Sequence, residues 1–157
     1  MTREEKFMQE AIALAEKGIL NNEGGPFGCV IVKDDKIIGR GNNKVTISND
    51  PTAHAEIIAI REACKNLGSY QLEDCEIYSS CEPCPMCLGA IYWARPKVIY
   101  YGNSRKDAAK IGFDDSMIYD EISSDLTSRK IPVINICQKR ANKTFAEWQQ
   151  KENKKIY

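Results

Sequence analysis

The sequence predicts an α/β protein, a three-layer α/β/α sandwich around a mixed sheet of about five strands. Three observations carry that expectation. Helix-periodic segments alternate with short β-prone runs along most of the chain. A strand, a helix and a strand follow one another between Glu76 and Tyr101 at the spacing of a parallel crossover. An acidic pair, Asp34-Asp35, separates two β-prone runs as a hairpin would, which adds antiparallel strands and makes the sheet mixed.

The elements follow in order. Thr2 with Glu5 is a capping-box start, Phe7, Ala11, Leu14 and Ala15 recur on one helical face, and Gly18 is expected to close the helix. Residues 21–26 form a turn-rich loop, and 29–32 and 36–39 form the hairpin. A loop over 41–51 leads to a helix from Thr52, its cap, to about Asn66, burying Ile57, Ile58 and Ile60. A strand over 76–79, a helix over 85–94 opened by Pro85, and a strand over 97–101 make the crossover. A last strand is expected over 131–137, edge-placed because of Pro132, followed by an amphipathic helix marked by Ala141, Phe145 and Trp148.

The length of 157 residues suits one domain over 1–157. The 22 basic and 22 acidic side chains cancel, without the basic excess of a protein that grips a polynucleotide, and a small-molecule substrate is favoured. The first residues lack the apolar stretch of a secretory signal, and no apolar run is long enough to span a bilayer. Seven cysteines cannot all pair, so reduced thiols in a cytoplasmic protein are expected. Cys29, Cys64, Cys75 and Cys137 read as small core side chains.

One constellation carries chemistry. His54-Ala55-Glu56 and, further on, Pro83-Cys84-Pro85-Met86-Cys87 place one imidazole and two thiols on two predicted helix starts. Three such ligands suit catalytic zinc, which keeps a fourth position for water and acidifies it. Glu56, two residues after the ligand His54, is placed to move that water's proton without binding the metal. Helix starts also favour thiolates. A redox pair would need neither His54 nor Glu56. A closed structural site would need a fourth ligand, and with His54 the only histidine, Cys81 is the sole nearby candidate.

The pairing of H-x-E with P-C-x-x-C is the signature of zinc nucleobase deaminases. Residues 50–56, residues 80–96 and Gly112-Phe113-Asp114-Asp115-Ser116 together resemble the bacterial guanine deaminases of the cytidine-deaminase-like superfamily, and the resemblance runs from about Phe7 to Tyr157. It implies hydrolysis of guanine to xanthine and ammonia, with one zinc ion per subunit held by His54, Cys84 and Cys87. Glu56 and Asp115 would move protons, while Phe27, Asn43, Ala55, Trp93 and Tyr157 would contact the base. It also implies a homodimer in which a segment of about 138–157 exchanges between subunits.

Each of these roles has an ordinary structural alternative. Phe27 and Trp93 suit core packing, Asn43 beside Asn42 suits a turn, Asp114-Asp115 suits a helix cap, and Tyr157 suits a frayed end. Glu82 reads as structural, fixing the loop before Cys84. Other functional readings are deaminases of tRNA adenosine, cytosine, guanosine or an aminotriazine, and a non-catalytic zinc module.

Overall fold

In the computed structural model, which describes residues 1–157, helix α1 (Arg3–Leu20) opens on the reciprocal Thr2–Glu5 capping box. Gly18 does not end it. The helix runs on to an Asn21 cap, and the missing side chain at Gly18 leaves room for the amide of Asn42. Strands β1 (Gly28–Lys33) and β2 (Lys36–Asn42) pair antiparallel across Asp34 and Asp35. Both aspartates are left-handed, with φ of 48° and 60°, the geometry of a type I′ turn that Asp tolerates.

A short helix, α2 (Val45–Ser48), interrupts the loop expected over 41–51. Helix α3 spans Ala55–Leu67 and is capped by His54 rather than Thr52. Thr52 instead bonds the Asp50 carboxylate through both its backbone N–H (2.8 Å) and its hydroxyl (2.7 Å), a local turn that competes with helix. The buried residues of α3 are Ala55, Glu56, Ala59 and Ala63, while Ile57, Ile58 and Ile60 are only half-buried. Small side chains face the sheet because the approach is close. A Cβ at Gly41 would collide with the carbonyl oxygen of Ala55, so β2 and the start of α3 are pressed backbone to backbone.

Strand β3 (Glu76–Cys81), helix α4 (Pro85–Ala94) and strand β4 (Val98–Asn103) form the expected crossover, with β3 and β4 parallel. The sheet order is β2-β1-β3-β4, and β1 runs antiparallel to β3. Side chains alternate through it. Cys29, Ile31 and Ile77 pack under α3 and α4, while Val30, Val32 and Tyr78 pack under α1 with Phe7 and Tyr100. Both faces are therefore covered by helices, as a three-layer architecture requires. Helix α5 (Arg105–Lys110) follows β4 and opens on a Ser104–Asp107 capping box.

The chain divides into two units, Met1–Asp115, which holds the sheet, and Ser116–Tyr157. The second contains α6 (Ser116–Ser123), a 3₁₀ turn at Leu126–Ser128 and α7 (Gln138–Gln150). The strand expected over 131–137 is absent, and the sheet has four strands rather than five. Ile131, Val133, Ile134 and Ile136 have β propensity, but that preference expresses packing on a pleated surface, and all four are exposed here. Pro132 also removes a donor. Cys137, expected in a core, is exposed in a left-handed conformation at the start of α7. No helix is long and apolar enough to cross a membrane.

Candidate active site

Two helix starts converge at the carboxyl end of β3. His54 is the N-cap of α3 and Cys84 the N-cap of α4, with Pro85 at the first helical position and Cys87 one turn further in. Backbone bonds fix the approach to His54. Lys44 N–H donates to the Ala53 carbonyl (2.9 Å), and Ala53 N–H donates to that of Asp50 (3.1 Å). On the other side Glu82 N–H donates to the Asn103 carbonyl (2.8 Å), and the Glu82 carboxylate accepts from Arg105 N–H (2.9 Å) at the start of α5. Glu82 thus ties the loop before Cys84 to the end of β4.

His54 Nδ1 lies 3.6 Å from Cys84 Sγ and 3.4 Å from Cys87 Sγ. A tetrahedral zinc ion sets N and S ligands about 3.6 Å apart, given Zn–N of about 2.0–2.1 Å and Zn–S of about 2.3 Å. The three donor atoms all fall within 4.8 Å of one another, so the donor set and its spacing fit the ion. Cys81 is not a fourth ligand. Its thiol turns to the Ser104 carbonyl (3.8 Å), and burial pushes its pKa up to about 11.

The charges around the donors agree with this arrangement. The hydrogen bond from Cys87, together with the imidazole of His54, pulls the Cys84 thiol down to about 4. Cys87 is pushed up by that same bond. The Cys84 thiolate in turn raises His54.

Glu56, in the first turn of α3, is only 6 % exposed. Its Oε1 accepts from the Ser79 hydroxyl at 3.0 Å, and its Oε2 accepts from the Cys87 thiol at 3.4 Å. Burial raises its pKa, the condition of a carboxyl that both takes and gives a proton. Asp115, which ends the first unit, is raised by desolvation and then by the negative charge of Cys84.

The remaining candidates distribute unevenly. Asn43 is 5 % exposed, and its Oδ1 accepts from Gly25 N–H (3.1 Å) and Val45 N–H (3.2 Å). Those two donors orient the amide and leave Nδ2 to donate elsewhere. Phe27 packs edge-on against Phe113, with centroids 4.9 Å apart, and Gly25 lies beneath both rings. Ala55 is fully buried against β2. Trp93 lies near the far end of α4, six residues after Cys87, with 64 % of its surface exposed. Tyr157 is exposed at the end of the second unit.

Ser79 belongs to the site region without a site motif of its own, while Phe113, inside the 112–116 segment, has no role assigned from the sequence. Ser79 stands two residues after Ile77, on the same strand face, and only the structure shows that its hydroxyl is buried there, 2 % exposed.

The zinc-binding region of cytidine and deoxycytidylate deaminases matches residues 1–103. The chain is 56 % identical over 153 residues to the guanine deaminase of Bacillus subtilis (strain 168), covering 98 % of each protein. The X-ray structure of guanine deaminase from Bacillus subtilis superposes with a TM-score of 0.95, again over 98 % of each chain. A tRNA-specific adenosine deaminase of Streptococcus pyogenes serotype M18 is 42 % identical over 127 residues, 81 % of this chain and 77 % of that protein.

Proposed function

The chain belongs to the family defined by the cytidine and deoxycytidylate deaminase zinc-binding region, and on that premise we propose that it is an enzyme hydrolysing guanine to xanthine and ammonia. One observation carries the choice of guanine. The likeness to a guanine deaminase continues through 98 % of the chain, beyond the family's zinc-binding region at 1–103 and into the segment that holds Asp115. The likeness to a tRNA deaminase is lower and covers 81 %. Balanced charge supports a free base over a polynucleotide.

His54, Cys84 and Cys87 would hold the metal, which when bound would supply a water acidic enough to lose a proton near neutral pH. Glu56 accepts that proton as the water oxygen adds to C2 of guanine, and passes it to ring N3. The tetrahedral carbon then collapses. A proton leaves the newly added hydroxyl, reaches the amino group with Asp115 assisting, and ammonia departs as the C2 carbonyl forms. Asn43 Nδ2, its Oδ1 held by two backbone donors, offers a hydrogen bond to an acceptor atom of the purine. Phe27 flanks the ring, backed by Phe113, and Ala55 lies beside the metal end of the pocket. Trp93 and Tyr157 complete the pocket in an assembled homodimer, in which the segment about 138–157 of one subunit closes the site of its partner. The reaction is placed in the cytoplasm.

Ammonia release across guanine, guanosine, cytosine, adenine, ammeline and tRNA tests the proposal. Guanine should exceed every other substrate in kcat/KM by at least roughly 100-fold. A preference for any of the others refutes the guanine assignment. Stoichiometric zinc with no turnover of any of them would make the chain a non-catalytic zinc module.

A further inference from the structure

Glu56 has two carboxylate oxygens with different neighbours. Oε2 faces Cys87, on the metal side, while Oε1 accepts the hydroxyl of Ser79 at 3.0 Å. Ser79 sits on β3 opposite Cys29, on the sheet face where Ile77, Ile31 and the alanines of α3 make an apolar layer. It is 2 % exposed, and the Glu56 carboxylate is its hydrogen-bond acceptor. A buried hydroxyl that loses water needs a partner, and a buried carboxylate needs donors. Each meets the other's requirement. The bond joins an element of the sheet to the first turn of α3, and it restrains the side-chain torsions of Glu56 from the side away from the metal.

Resting on the reading of Glu56 as the proton carrier, we propose that Ser79 is the positioning residue of the reaction. Its hydroxyl anchors Oε1, so that Oε2 alone is presented to the attacking water and to ring N3. One oxygen is a pivot and the other moves the proton. Without the anchor the carboxylate turns within its pocket, and proton transfer, which depends on sub-ångström placement, slows.

The test uses the zinc-loaded protein and three substitutions. Ser79→Thr keeps the hydroxyl, Ser79→Val has nearly the same shape as Thr without it, and Ser79→Ala removes it with the least strain. The expected result is kcat on guanine reduced roughly 10- to 100-fold in S79A and S79V, within about threefold of wild type in S79T. KM and zinc per chain should be unchanged throughout. Equal losses of kcat in S79T and S79V, or a wild-type kcat in S79A, overturn the proposal. A fall in zinc content that parallels the fall in kcat also overturns it, since the role is then to hold the metal site. If the wild-type protein releases ammonia from a different aminated base, the guanine reading fails, and the same three variants are compared on that base.

Discussion

At the scale of single residues, the site separates holding from moving. Burial raises Glu56, and its two oxygens are already engaged by Ser79 and Cys87. Glu56→Gln keeps the volume and removes the proposed proton carrier. It should retain zinc and lose turnover by roughly 10²- to 10⁴-fold, read as kcat for ammonia release beside zinc per chain by mass spectrometry. Full activity in that variant would remove Glu56 from the mechanism. The grouping of His54, Cys84 and Cys87 was legible in the sequence because metal chemistry restricts residue type and spacing together, and Glu56 follows His54 in the same motif. Ser79 was not. Its partner is 23 positions away, and only the packing of α3 on the face of β3 that carries Ser79 brings the two together. Asn43 was legible as a candidate, but the reason its amide has a fixed orientation lies in Gly25 and Val45, one before it by 18 positions and one just after.

At the scale of elements, local signals placed α1, the hairpin, the crossover and α7, because caps, turn residues and Pro85 act over a few positions. They failed where a distant surface decides. The start of α3 shifted from Thr52 to Ala55 because Asp50 captures Thr52 in a turn. The apolar run over 131–137 read as a strand, yet it has the exposure of a loop. The close approach of β2 to α3 through Gly41 was invisible in the sequence, and it sets the position of His54 and Glu56. Gly41→Ala should therefore destabilise the protein by about 1–3 kcal/mol in urea unfolding, since the new Cβ meets the Ala55 carbonyl. Gly89→Ala in α4, where a Cβ meets nothing within 4 Å, should instead stabilise by roughly 0.5–1 kcal/mol. Destabilisation by both, of similar size, would assign the effect to something other than this contact.

At the scale of the whole molecule, the proposed exchange of the last segment predicts what truncation does. Removing residues 150–157 should cut kcat/KM for guanine severely, by roughly 100-fold or more, while zinc content is kept. Unchanged activity would take Tyr157 and its segment out of the site. The metal ligands carry a consequence of another kind. His54 and Cys84 each occupy an N-cap without making a side-chain cap bond, so at two helix starts the side chain is turned to the metal site rather than to the helix. The ligands also lie 30 positions apart in the chain, so a bound ion closes a loop of that length, as a disulfide would. A cross-link of that span restrains the unfolded chain by roughly 3–4 kcal/mol. Chelation should then lower the melting temperature by roughly 6–16 °C, with recovery on adding zinc, and an unchanged melting curve would contradict the cross-link. On that prediction zinc supply would govern how much folded protein survives, and a cell short of the ion would lose the polypeptide as well as its turnover.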